Sequence, residues 1–274
     1  MLNCPSRSTL GCRSSARPVC LAGPQRRAVR AASAKNGTIS LPTLPPLDAA
    51  FEKAHAFKSF SNWIVPGSVM LGRYPHVEPS LCTSRKQGEQ QLTAILEAGV
   101  TTFISLQAEL PPQSDLTLAG LNGFLPYRAT AELIQAAYND LPPMDSMNGL
   151  RNPSLDKFLP PKKKPTTSWN ARQLHFLHSP IVDLSIPQKE TLRALIADME
   201  QRVANKEILY IHCWGGRGRA GTVGACLLAA LYNIPAEQAL ARVQRAFDTR
   251  KDMTRRSPET DEQLAFVREF IGSQ

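Results

Sequence analysis

Apolar positions along the chain switch repeatedly between a period of about two and a period of about 3.6, which marks alternating strands and helices. Residues 100–106, 174–178 and 207–212 are short apolar runs of strand type, and a strand pair is predicted around residues 63–71. Helical spacing appears at 48–57 and at 84–97, with Gly99 as the stop, and a further helix is placed at 128–138. Leu192, Leu195, Ile196, Met199 and Val203 form one helical face, preceded by Ser185 and Gln188 at capping-box spacing and by Pro187 in the first turn. Residues 222–232 are rich in Ala and Leu, and Ala236, Leu240, Val243 and Phe247 share the next helical face. A final helix is expected from about Ser257 and Pro258, burying Leu264, Val267, Phe270 and Ile271. This order predicts an α/β fold: a central, mostly parallel sheet flanked by helices. Only residues 141–170, proline-rich and containing Lys162, Lys163 and Lys164, break the pattern and read as a long exposed loop.

The charge is unevenly spread. The formal net charge is +9, from 32 Lys and Arg against 23 Asp and Glu. Seven of the basic residues and none of the acidic ones fall in residues 1–47, which are also rich in Ser and Ala and lack a continuous apolar core. That composition predicts an organellar transit peptide over residues 1–34, for a chloroplast in preference to a mitochondrion, with cleavage near Val29 to Ala34. Residues 35–58 then form an N-terminal extension and 59–274 the catalytic domain. From residue 48 onward 25 basic residues face 23 acidic ones, so the basic excess that would favour nucleic acid disappears. No run is long and apolar enough for a membrane span. Cys4, Cys12 and Cys20 lie in the same N-terminal segment; the others are Cys82, Cys213 and Cys226, with neither disulfide nor metal-ligand spacing. Cys82 and Cys226 are read as structural, and no cofactor or metal is called for.

The chemistry concentrates in residues 211–222, Ile-His-Cys-Trp-Gly-Gly-Arg-Gly-Arg-Ala-Gly-Thr, between a strand and a helix. A helix N-terminus leaves backbone N–H groups without partners, and together with the dipole these form an anion site. Glycines let the backbone curl around a phosphate, so Trp214, Gly215, Gly216, Arg217, Gly218 and Arg219 are the candidate phosphate-binding residues. The same field favours a thiolate at Cys213, the candidate nucleophile. Arg219 offers a planar fork for two phosphate oxygens. Asp183, just after the 174–178 strand, is the candidate general acid. His212 is expected to orient the loop by hydrogen bonding.

His212-Cys213, five residues and Arg219, with Pro180-Ile181-Val182-Asp183 upstream, resemble the cysteine-based tyrosine and dual-specificity phosphatases. In motif texture the chain is similar to small kinase-associated phosphatases and to plant or algal dual-specificity enzymes, over about residues 59–272. The resemblance implies a phosphocysteine intermediate, a dual-specificity-phosphatase-like fold and phosphorylated protein or another phosphate ester as partner. It also exposes two departures. Where most of the family has Ser or Thr after the loop arginine, this chain has Ala220, which implies slower hydrolysis of the phosphoenzyme. Arg-Ala loops resemble those of plastid phosphoglucan phosphatases. The stretch 109–173 is longer than a minimal member needs and is expected to shape substrate choice.

Gly216-Arg-Gly-Arg-Ala-Gly221 also fits G-x-G-x-x-G, but the chain after it is helical where a dinucleotide fold needs a second strand ending in an acid. The sequence thus favours a phosphatase of phosphoproteins, with a phosphoglucan or phosphoinositide phosphatase as the alternative. Arg217 enters the latter reading as a site for a second phosphate, against an outward, solvated arginine. Trp169 is read as packing. A phosphate-binding pseudophosphatase is the non-enzymatic alternative, suggested by Ala220.

Overall fold

The computed structural model describes residues 41–139, 173–251 and 255–273. Its elements run in the predicted alternation: α1 (Ala49–His55), β1 (Ala56–Lys58), β2 (Ser61–Val65), β3 (Val69–Gly72), α2 (Arg85–Glu97), β4 (Thr102–Gln107), α3 (Arg128–Asn139), β5 (His175–Ile181), α4 (Lys189–Ala204), β6 (Leu209–His212), α5 (Gly218–Tyr232), α6 (Ala236–Asp248) and α7 (Asp261–Gly272). Among the described residues the sheet has six strands in the order β1-β2-β3-β6-β4-β5. Its β3-β6, β6-β4 and β4-β5 pairs are parallel, and the hairpins at the β1 end are antiparallel.

Period-two alternation sends successive strand side chains to opposite faces. Leu71, Ile104, Leu106, Leu209 and Ile211 pack on one side with Phe51 of α1, Leu192 and Met199 of α4, Val223 and Leu227 of α5, Val243 of α6 and Val267 and Phe270 of α7. Met70, Phe103 and Tyr210 face the other side, against Leu92, Ile95 and Leu96 of α2, Ala131 of α3, and Tyr74 and Tyr127. The sheet is therefore covered on both faces, as a parallel sheet requires. α1 and β1 lie within the stretch assigned above to an extension, and Phe51 belongs to the core. Tyr232, Arg242 and Arg245 donate to the carbonyls of Pro42, Pro45, Leu47 and Asp48, tying the residues before α1 to α5 and α6.

Three boundaries depart from the sequence reading. α4 begins at Lys189 with Gln188 at its N-cap and no side-chain cap bond, so Ser185 and Gln188 form no capping box. Ile186 precedes Pro187 and is disfavoured in helical conformation, and Ser185 instead closes a turn onto the Val182 carbonyl. α7 starts at Asp261, not near Ser257; Thr260 caps it, with Gln263 completing the capping box. β5 runs on to Ile181 through Pro180, which an edge strand tolerates. The proline-rich 141–170 stretch, Trp169 and the Lys162 run lie outside the described residues, as does the N-terminal segment up to residue 40.

Candidate functional site

Parallel strands deliver their carboxyl ends to one edge of the sheet, where ligands of open α/β folds collect. β6 ends in His212-Cys213, β5 leads into Asp183, and β4 leads into Glu109. α5 begins at Gly218, four residues earlier than the Ala/Leu pattern alone indicates. Arg219 therefore sits in its first turn, beside N–H groups that no helical carbonyl reaches.

The loop between Cys213 and Arg219 is tight. Cys213 is buried, and its Sγ accepts the Gly216 N–H at 3.3 Å. Gly216 has φ +70° and lies against β3: a Cβ there would fall 2.1 Å from the Gly72 carbonyl carbon, so only glycine fits. Arg219 is 2 % exposed. Its Nη1 donates to Glu109 Oε2 (2.6 Å) and the Ile181 carbonyl (3.1 Å), and its Nη2 to Glu109 Oε1 (2.9 Å). Asp183 Oδ1 lies 2.8 Å from the same Nη2. The structure thus brings Cys213, Arg219 and Asp183 together.

Burial works against the Arg219 charge, but hydrogen bonding to Glu109 and the charges of Cys213, Glu109 and Asp183 raise its pKa above the usual arginine range. Burial also opposes ionisation of Glu109, yet its hydrogen bonds, chiefly from Arg219, hold its carboxyl below the ordinary range. Asp183 itself is exposed, between Val182 and Leu184, and Leu184 takes φ +60°, a conformation costly for a branched side chain.

His212 is fully buried, and burial together with the Arg219 charge brings its pKa down to about 3. Its Nδ1 lies 3.4 Å from the Cys213 carbonyl and its Nε2 2.8 Å from the Tyr127 hydroxyl. A carbonyl only accepts, so the tautomer satisfying both contacts carries its proton on Nδ1 and accepts from Tyr127 at Nε2. His212 thus bridges the Tyr127 hydroxyl and the Cys213 carbonyl.

Arg217 is neither free for substrate nor simply solvated: its guanidinium pairs with Glu259. Ser257 Oγ donates to the Arg217 carbonyl at 2.9 Å, so the residues before α7 wrap the loop. On the opposite side Arg250 donates to Asn62 (2.6 Å), the Leu71 carbonyl (2.8 Å) and the Gly215 carbonyl (3.4 Å), tying the loop to β2 and β3. Trp214 turns its indole N–H onto Glu78 at 2.8 Å. Ala220 is buried without a hydroxyl, and the Thr222 hydroxyl is committed to the Gly218 carbonyl. Cys82 and Cys226 are buried free thiols; burial raises both, Cys226 to about 12.

Glu109, Tyr127, Arg250, Glu259 and Glu78 are the side chains at this site that the motif did not disclose. Only Glu109 left a signal: it stands two residues past a parallel strand at the same edge as Cys213 and Asp183. The others reach the loop across 35 or more positions of chain.

Residues 159–267 match the family model described as "Swiss Army Knife protein, DSP-PTPase phosphatase domain". The chain is 30% identical over 103 residues to 197R of Invertebrate iridescent virus 6, named as a tyrosine phosphatase; the match covers 36% of this chain and 35% of that protein. The chain thus spans about a third of the length of that relative. Among solved structures, Tk-PTP in its active form is 20% identical, over 78% of this chain and 98% of that one, with a TM-score of 0.45. Kinase associated phosphatase is 16% identical, over 75% and 86%, with a TM-score of 0.43. The chain is thus similar to dual-specificity and tyrosine phosphatases over residues 159–267, the stretch that holds Cys213, Arg219 and Asp183.

Proposed function

We propose that this protein hydrolyses phosphate monoesters of phosphoproteins through a phosphocysteine. The observation that carries the reading is the convergence of Arg219, ion-paired to Glu109 and Asp183, with Cys213 at the N-terminus of α5. An incoming phosphate replaces the Asp183 carboxylate at Arg219 Nη2, while Glu109 keeps the guanidinium aligned. The Cys213 sulfur attacks phosphorus, an S–P bond forms, the ester P–O bond breaks, and Asp183, freed from Arg219 and protonated from solvent, gives that proton to the departing oxygen. Arg219 and the loop N–H groups hold the equatorial oxygens. Water then attacks the phosphocysteine, Asp183 takes a proton from it, the S–P bond breaks, and phosphate leaves. This route calls on no metal ion.

The phosphoinositide alternative loses support because Glu259 already occupies Arg217. We also propose that residues 1–34 direct the protein to a plastid. A fluorescent fusion of residues 1–47 and N-terminal sequencing of the imported product check this, and a cytosolic distribution would overturn it.

The decisive assay uses protein starting near Lys35, without added metal, on phosphotyrosine and phosphothreonine peptides, phosphorylated glucan and a phosphoinositide. Phosphate release by the intact protein and none by Cys213→Ser supports the mechanism. Undiminished release by Cys213→Ser overturns it, and no release from any substrate moves the pseudophosphatase reading ahead.

A further inference from the structure

Residues 41–47 read Leu-Pro-Thr-Leu-Pro-Pro-Leu and lie ahead of α1, outside any helix or strand. Pro42, Pro45 and Pro46 have no N–H donor and hold φ at about −65°, so the run favours the extended polyproline II form, whose carbonyls bond nothing within the segment. Side-chain donors from α5 and α6 meet those carbonyls. The Tyr232 hydroxyl donates to Pro42 at 3.0 Å, Arg242 Nη1 to Pro45 at 2.6 Å and Arg245 Nη1 to Leu47 at 2.6 Å. Polyproline II has about three residues per turn, which puts the Pro42 and Pro45 carbonyls on one side of the segment. Leu41 and Leu44 share the same spacing, and both pack, partly buried, against the core. The segment thus offers the α5 and α6 face a row of carbonyls and a row of leucines at one common period.

The receiving face is specialised for such a row. Arg242 is 6% exposed, and its Nε is buried with no partner among the described residues. Burial lowers its pKa, so the guanidinium depends on acceptors brought to it, and the Pro45 carbonyl is the one in place. Arg245 lies over the Phe51 ring, 5.6 Å from its centroid, and also donates to the Asp48 carbonyl at 2.8 Å. Fixed donors and apolar contacts at every third residue are how proline-rich segments are bound, because a preformed extended chain loses little entropy on docking. None of these contacts requires that the segment belong to the same chain. Pro42, Thr43, Pro46 and Leu47 stay exposed, which leaves the docked run at the surface.

We infer that the α5 and α6 face is a docking site for an extended proline-rich segment, that residues 41–47 occupy it in cis, and that a partner protein carrying the same Leu-Pro-x-Leu-Pro register competes for it. Tyr232 ends α5 whereas the Cys213 loop precedes it, so the site stands about 20 Å along that helix from the proposed nucleophile. It is independent of the phosphatase reading. Tethering gives the resident segment a roughly millimolar effective concentration, so a weak ligand gains the site only once that segment is loosened.

The test is fluorescence anisotropy of a labelled peptide with the sequence of residues 41–48, titrated with the full chain. Leu41→Asp together with Leu44→Asp loosens the resident segment and leaves the donors intact. The peptide is expected to bind this chain at least about 10-fold more tightly than the parent, whose site is filled. In the loosened background Tyr232→Phe weakens binding roughly 3-fold and Arg242→Met roughly 10-fold. A peptide carrying Pro42→Ala and Pro45→Ala binds less tightly, because its extended form is no longer preset. Equal binding by the parent and the loosened chain overturns the inference, and so does no binding by the loosened chain. Binding that Tyr232→Phe and Arg242→Met leave unchanged also overturns it. Should the aspartates prevent folding, Pro42→Gly with Pro45→Gly in the chain loosens the segment through chain entropy and is read in the same way.

Discussion

Arg219 and Glu109, 110 positions apart in the chain, meet in a two-pronged ion pair of 2.6 and 2.9 Å that aims the guanidinium at the mouth of the Cys213 loop. Because Arg219 is buried, its fork has little freedom once Glu109 grips it, and among the described residues it also contacts Asp183 and the Ile181 carbonyl. Glu109 thus fixes the direction of the Arg219 guanidinium.

Glu109→Gln keeps the shape but removes the charge that holds Arg219. It will lower kcat/KM by about 10²-fold and cost about 1–3 kcal/mol of stability. Steady-state kinetics and urea unfolding check both, and an unchanged kcat/KM would show that Arg219 is aligned without Glu109.

The buried His212 predicts an acid-sensitive fold. Its folded pKa of about 3 lies below an unfolded value of about 6.5. The neutral form is the one the fold accepts, so its contribution is complete above about pH 6.5 and is lost progressively as pH falls toward 3. The limiting slope is about 1.4 kcal/mol per pH unit. Urea unfolding between pH 5 and 7.5 will show a shallower dependence in His212→Asn than in the parent. Equal slopes would contradict the assignment.

Ala220, directly after Arg219, has no hydroxyl to offer Cys213, and the sulfur contact seen among the described residues is the Gly216 N–H. Ala220→Ser will speed hydrolysis of the phosphoenzyme and leave the initial burst unaltered in rapid-quench kinetics. No change in the steady state would mean that the backbone donor already compensates.

Glu259→Gln releases Arg217 from its ion pair. In the Cys213→Ser background, binding of a short alkyl bisphosphate will strengthen roughly 10-fold relative to the monophosphate, with a steeper salt dependence. An unchanged ratio would place Arg217 out of reach of the ligand.

That Cys213, Arg219 and Asp183 would lie together was legible because a loop of this kind is local: the proposed nucleophile, the glycines and the proposed clamp sit within seven residues, and strand-helix periodicity shows where the loop lies. The same periodicity indicated the two-faced sheet, since Leu71, Ile104 and Ile211 alternate with Met70, Phe103 and Tyr210. Backbone detail escaped it where turn geometry competes with local pattern, as at Ser185, whose capping spacing yields to the turn beside Asp183. What only the tertiary structure decided is which distant side chains complete the site. Glu109, Tyr127, Glu259, Arg250 and Glu78 carry no spacing relation to Cys213, because parallel strands and crossover helices bring together residues whose separation in sequence is set by topology. Whether Arg217 is free and where Trp214 points are properties of those long-range partners, and a linear pattern does not encode them.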